Sequence, residues 1–279
     1  MKKAAGLLFN ALKGALIGTG AILPGISGGV LMIVTGIYRP MMELLSHPIK
    51  SLKKDLTFYL SVLVGFAMGV LLLSKVVELL FHTSQEPATW LFIGLIVGTM
   101  PALFSESGKE GRPKSALVSG IVAFALMLFF LIFINSRSAI HSEPTTLTWI
   151  ICGVLWGIGF IAPGMSPSAL FLFMGVYEPM AAGIADLSLP ILLPMGAGLI
   201  LSALLLSRLI NALLKDFYSQ TMHAILGVSI ASTVMILPFG ASPSFTQVLL
   251  YILMFAVGLA LALWMGAMSK KLDADKAKE

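Results

Sequence analysis

The chain has 279 residues, 58% of them hydrophobic before its 27 glycines are counted and only 11% charged, against roughly 25% charged in ordinary soluble domains. A soluble fold of this length has no means of hiding that much apolar surface, so composition excludes soluble globular, secreted disulfide-scaffold and disordered classes and points to a polytopic membrane protein. Cys152 is the single cysteine, which rules out an internal disulfide and leaves no CxxC or Cys/His cluster for zinc. The net charge of +5 sits in clusters between apolar stretches, as membrane orientation requires and nucleic-acid binding does not.

A window of about 20 residues gives apolar segments at 5–22, 27–45, 56–81, 88–104, 115–135, 146–162, 167–185, 188–214, 221–238 and 246–268. The pairs 5–22/27–45 and 146–162/167–185 are each interrupted by Pro-Gly, and their arms fall short of the roughly 20 residues that span hydrocarbon. Each pair is expected to be a re-entrant hairpin, 5–45 and 146–185. The remaining six segments are expected to cross the membrane. Lys2-Lys3 and the apolar run after it resemble a signal peptide, but a very similar sequence returns in mid-chain, so the segment is expected to belong to the mature fold. With a cytoplasmic N-terminus, sixteen of the eighteen Lys and Arg residues fall inside, and only Lys75 and Arg137 fall outside. Both termini are then cytoplasmic. Ten full crossings give the same loops the same sides, so charge alone does not separate re-entrant from spanning hairpins.

Gly14–Met41 aligns without gaps on Gly153–Met180, with thirteen of twenty-eight positions identical. The match continues after a six-residue shortening, Leu71–Lys75 against Leu204–Arg208 and Gly94 against Gly227. The chain therefore reads as two tandem copies, 1–138 and 139–279, within one membrane domain. Each copy holds one hairpin and three spans. Three is odd, so the second copy enters the membrane inverted. The expected fold is all-α, two inverted-topology repeats whose interrupted helices meet near the midplane.

The breaks read Pro24-Gly25-Ile26-Ser27-Gly28-Gly29 and Pro163-Gly164-Met165-Ser166-Pro167-Ser168. Serine favours the N-cap and proline the first helical position, so Ser166-Pro167 reads as a helix start, and Ser27-Gly28 follows by repeat equivalence. Helix N-termini carry partial positive charge and N–H groups without intrahelical partners, which suits an anion such as phosphate. Ser27, Gly28, Gly29, Ser166 and Ser168 are the candidate substrate contacts. The competing reading is a capped turn satisfied by neighbouring carbonyls or water.

Ionisable residues in spans are functional candidates by default. Lys75 and Arg208 are repeat equivalents suited to phosphate gates, against snorkelling to the interface or a Lys75–Glu78 pair. Arg39 and Glu178 occupy matching positions with opposite charge. Arg39 suits an anionic headgroup, and Glu178 suits a coupling proton or cation, against ordinary interfacial placement. Glu43 and Asp186 are weaker coupling candidates. His47, His82, His141 and His223 are expected at the surface, Trp90, Trp149 and Trp264 in interfacial belts, and Trp156 deeper. Gly25-Ile26-Ser27-Gly28 is similar to the nucleophile string of rhomboid proteases, but its duplicate has proline in place of the last glycine, and His223 is the only distant base. A transporter, not a hydrolase or protease, is expected.

The two Pro-Gly-x-Ser hairpins, above all GALIGTGAILPGISGG with Gly36-Ile37-Tyr38 after it, resemble the bacterial and archaeal polyprenyl-phosphate translocases known as PopT, over nearly the whole chain. The resemblance implies transport of undecaprenyl phosphate, the carrier of cell-wall sugars, from the outer to the inner leaflet of the bacterial plasma membrane. It places the site on Ser27, Gly28 and Gly29. Pro167 removes one donor from the second tip. No cofactor is expected. Coupling to a proton or sodium gradient, a homo-oligomer, and a secondary transporter of a small soluble anion stay open at this point, while nucleic acid is not an expected partner.

Overall fold

The computed structural model describes residues 2–23, 31–32, 35–136, 143–161, 167–237 and 243–276. Among them the chain is all-helical. The first copy supplies α1 (Lys2–Ile22), α2 (Tyr38–Ser46), α3 (Pro48–Lys54), α4 (Leu56–Thr83), α5 (Gln85–Ser107) and α6 (Lys114–Ser136); the second supplies α7 (Thr146–Ile161), α8 (Ser168–Phe173), α9 (Tyr177–Ala185), α10 (Leu189–Leu205), α11 (Ser207–Asp216), α12 (Tyr218–Ile236) and α13 (Phe245–Lys276). Local signals set several of these boundaries. Pro48 opens α3, where its missing N–H costs nothing, and the Asp55 carboxylate caps α4 by accepting from Phe58 N at 2.9 Å.

Five helices, α4, α5, α6, α12 and the first 23 residues of α13, are long and apolar enough to cross a membrane. Two departures from the expected spans have clear sequence causes. The expected span 188–214 is divided at Leu206 into α10 and α11, because Arg208, Asn211, Lys215 and Asp216 make the second part too polar to continue a buried span. Each distal hairpin arm, expected as one segment, is also broken, at the repeat-equivalent glycines Gly36 (φ 76°) and Gly175 (φ 67°). Only glycine takes that left-handed conformation without steric cost, so α2 and α9 start afresh at Tyr38 and Tyr177. A further bend of 108° separates α9 from α10.

Four helix pairs dominate the packing: α1 with α4, α7 with α10, α5 with α13, and α6 with α12. In hydrocarbon no hydrophobic effect drives helices together, so association relies on close van der Waals contact at small residues. A Cβ on Gly65 would collide with the Ala11 carbonyl, and one on Gly198 with the Ile150 carbonyl. Those two contacts are the same contact in the two copies, at the offsets of the internal repeat. Gly94 likewise rests on the Phe255 carbonyl and Gly227 on the Gly120 carbonyl. The second spans, α5 and α12, each pair with the third span of the other copy, so the halves interlock. These two helices are the most buried of the spans, whereas α4, α6 and α13 turn most of their apolar surface outward.

The core lies around α8 and α9. Phe171, Tyr177, Met180 and Ala181 are buried against Ile22, Val70, Val77 and Phe81 of the first copy. A smaller cluster joins Ile17, Met32, Ile37 and Val62. The copies differ here: α9 packs firmly on α4, while among the described residues α2, the equivalent of α9, has no comparable contact with α10, the equivalent of α4.

Candidate functional site

Pro24, Gly25, Ser27, Gly28 and Gly29 of the first break, and Pro163, Gly164 and Ser166 of the second, lie outside the described residues. The surroundings of the breaks are described, and they converge. The Trp156 indole N–H donates to the Ala21 carbonyl at 3.0 Å, and the Tyr177 hydroxyl donates to the Ile22 carbonyl at 2.5 Å. Ala21 and Ile22 end α1, just before Pro24. The last carbonyls of a helix have no intrahelical donor and form the negative end of its dipole. Two donors from the second copy therefore satisfy the C-terminal end of α1, and they draw off negative potential there.

Tyr177 is fixed for this task by its surroundings. Its ring sits 5.4 Å from Phe92 and 5.9 Å from Phe81, which themselves stack at 5.4 Å. Trp156 was expected deeper than the other tryptophans; its partner is the Ala21 carbonyl of the first copy. The sequence reading did not single out Tyr177, although the Tyr38/Tyr177 identity within the repeat was the available signal. Ser168 starts α8 and is buried.

The charged candidates separate into groups. Lys75 bridges Glu78 at 2.8 Å and Asp186 at 3.6 Å, so the sequence-expected Glu78 pair is present and a link to the second copy is added. Arg208, its repeat equivalent, is exposed on α11, outside the apolar helix α10. It makes no ion pair among the described residues. Glu43 meets Lys54 at 3.8 Å in an exposed pair. Arg39 is exposed at the start of α2. Glu178 lies half-buried on the wall of a cavity of about 450 Å³ formed by the ends of α4 and α12, the start of α5 and the Gly175 corner.

Two expectations need correction. His223 is not at the surface; it is 4% exposed, with Nδ1 2.7 Å from the Ser219 carbonyl and Nε2 buried without a partner among the described residues. The reason is the repeat: His223 is equivalent to Trp90, and both sit on the central helices α5 and α12 where the copies interlock. Trp149 is likewise buried rather than interfacial, because it faces the core beneath α9. Trp264 is exposed, and Trp90 stacks on Tyr251.

The family model described as undecaprenyl phosphate translocase-like matches residues 17–248. A protein of Vibrio cholerae named polyprenyl-phosphate transporter is 25% identical over 248 residues, 83% of this chain and 78% of the relative. A protein of Staphylococcus aureus with the same name is 24% identical over 270 residues, 92% of this chain and 95% of the relative. No solved structure gives a significant match.

Proposed function

The chain belongs to the undecaprenyl phosphate translocase-like family, and from that membership we propose that it moves undecaprenyl phosphate, or a related polyprenyl phosphate, between the leaflets of a bacterial plasma membrane, returning the carrier from the outer to the inner face for envelope glycopolymer synthesis. The observation that carries the reading is the family match across both copies of the repeat. No hydrolytic step is part of it; both relatives are named as transporters.

The proposed mechanism is alternating access by inverted copies. The phosphate is held by the N-terminal helix donors at Ser27, Gly28, Gly29, Ser166 and Ser168, while the isoprenoid tail stays in lipid. Trp156 and Tyr177 support this by covering the α1 carbonyls that would otherwise repel an anion beside the first break. Arg39 receives the headgroup on the cytoplasmic side, and Lys75 and Arg208 act as cationic gates on the two faces. Asymmetry between the copies suits a gated state: α9 is closed on α4 with Lys75–Asp186 between them and is tied to the end of α1 by Tyr177–Ile22, while among the described residues α2 is not closed on α10. With both termini cytoplasmic, the closed side is the outer one. A proton or sodium gradient supplies the drive, with Glu178, Glu43 and Asp186 as candidate coupling residues.

The test is leaflet accessibility of a labelled polyprenyl phosphate in liposomes with purified protein and with a Ser27→Ala/Arg39→Ala double variant. Protein-dependent equilibration that the double variant loses is the expected result. Equilibration at equal rates in both removes the first hairpin from the site; movement of a soluble anion without the lipid overturns the substrate.

A further inference from the structure

The three coupling candidates are not equivalent in their surroundings. Glu43 and Asp186 are both exposed and each already faces a lysine. Glu178 makes no ion pair and no hydrogen bond among the described residues, and it is the acidic member of the cavity of about 450 Å³. The other polar groups there are the Gln85 amide, which can turn its oxygen to a cation, and the Thr89 hydroxyl, which donates to the Gln85 carbonyl at 2.9 Å and so keeps its lone pairs available. Among the described residues no lysine, arginine or histidine lines the cavity. Phe81, Phe173, Leu172 and Met235 supply apolar walls, and low-dielectric walls strengthen the field of the Glu178 carboxylate, which the N-terminal end of α9 offsets only in part.

A single carboxylate with neutral oxygen groups is the donor set of a small hard cation or a proton, and the opposite of an anion site. We infer that the Glu178 cavity is a cation site whose occupant, a sodium ion or a proton, neutralises Glu178 and is coupled to movement of the lipid phosphate. The inference rests on the translocation reading above and assigns it a coupling residue. The cavity connects to the first break through one residue: Tyr177, adjacent to Glu178 and also on the cavity wall, donates its hydroxyl to Ile22 O at the end of α1. Charge on Glu178 thus bears on the hairpin corner that carries this tie. An approaching phosphate is repelled by the bare carboxylate and admitted by the neutralised one, so cation and phosphate favour each other's binding, a reciprocal coupling.

Among the described residues, other titratable groups near these walls are few. Tyr177 is buried and committed to Ile22; on α4, His82 is exposed and Lys75 and Glu78 pair with each other; on α5, Glu86 accepts from the Tyr251 hydroxyl of α13; α8 and α12 add none beside the cavity.

The test measures thermal stability of purified full-length protein in detergent, with sodium replaced by choline at fixed ionic strength, and separately across pH without sodium. Leaflet exchange in liposomes is then measured with and without an imposed sodium or proton gradient. Wild-type protein is expected to be stabilised by one of the two cations and to accumulate lipid in one leaflet, an about tenfold asymmetry for a tenfold gradient coupled one to one. Glu178→Gln is expected to lose both responses, whereas Glu110→Gln, at an exposed position between α5 and α6, keeps them. If Glu178→Gln does not accumulate, Thr89→Val reads the same site: a severalfold shift of the cation midpoint supports it and an unchanged midpoint overturns it. Exchange with no cation response in either measurement, or a response that Glu178→Gln preserves, overturns the site and leaves the lipid reading standing. A cation response lost in Glu178→Gln, together with no lipid exchange by wild-type protein, keeps the site and removes the lipid.

Discussion

Replacing Tyr177 by phenylalanine isolates one hydrogen bond. The ring contacts with Phe81 and Phe92 are retained, and only the donor to the Ile22 carbonyl is lost. Tyr177 is 1% exposed, so water does not replace the donor, and leaving a buried acceptor unsatisfied costs about 1–3 kcal/mol. Interhelical hydrogen bonds in membrane proteins average about 0.6 kcal/mol and reach about 1.7 kcal/mol. The expected loss for Tyr177→Phe is therefore about 1–2 kcal/mol. Tyr177→Ala also removes the ring from the core, and aromatic truncations there cost about 3–5 kcal/mol. Trp156→Phe removes the parallel donor to Ala21. Because both donors serve one helix end, the double variant should depart from additivity by about 0.5 kcal/mol or more. Denaturant unfolding in detergent micelles, followed by tryptophan fluorescence for the Tyr177 variants and by circular dichroism for Trp156→Phe and the double variant, gives these differences. A Tyr177→Phe variant as stable as wild type, or as damaged as Tyr177→Ala, would refute the assignment of the bond as a tie between the copies.

Gly65→Leu and Gly198→Leu should act alike, since a side chain at either position meets a carbonyl of the partner helix; each is expected to lower the melting temperature or abolish folded yield, and overpacking of this kind costs about 1–3 kcal/mol or more. Gly196→Leu on the same helix as Gly198 meets nothing within 4 Å and should melt close to wild type in the same assay. His223→Leu removes the Nδ1 bond to the Ser219 carbonyl together with a buried Nε2 that has no partner among the described residues; the two effects oppose each other, so unfolding free energy should stay within about 1 kcal/mol of wild type, and a loss well above the roughly 1.5 kcal/mol of one neutral hydrogen bond would mean that Nε2 is bonded as well.

Much of the architecture was legible because two signals in the sequence are strong. Long apolar stretches marked α4, α5, α6, α12 and α13 with only small boundary errors. The identities across Gly14–Met41 and Gly153–Met180 announced two copies, and the glycine contacts of Gly65 and Gly198 fall on matching positions. Span 188–214 was misread because an apolar average conceals the polar face that Arg208, Lys215 and Asp216 give α11. The corners at Gly36 and Gly175 were missed because a glycine in an apolar run does not declare its φ. His223 was misplaced because its position near a loop suggested solvent, whereas interlocking of the copies puts that turn of α12 inside. Interlocking itself is a long-range property that periodicity does not encode. At the site, Arg39, Lys75, Glu178 and Asp186 stood out as charges in apolar surroundings, but the Lys75–Asp186 contact, the lack of a Glu178 partner among the described residues and the carbonyl partners of Trp156 and Tyr177 depend on how the two copies meet.

The central claim is that lipid phosphate crosses by alternate opening of the two hairpin sides, and locking one side tests it directly. Lys75 on α4 and Asp186 after α9 approach to 3.6 Å; cysteines at both positions, in a Cys152→Ala background, are joined by a short cleavable bis-thiol reagent in purified protein, and leaflet exchange of labelled polyprenyl phosphate is followed in liposomes before and after cleavage. Exchange should stop when α9 is fixed to α4 and return when the link is cut. Undiminished exchange in fully linked protein would contradict the mechanism.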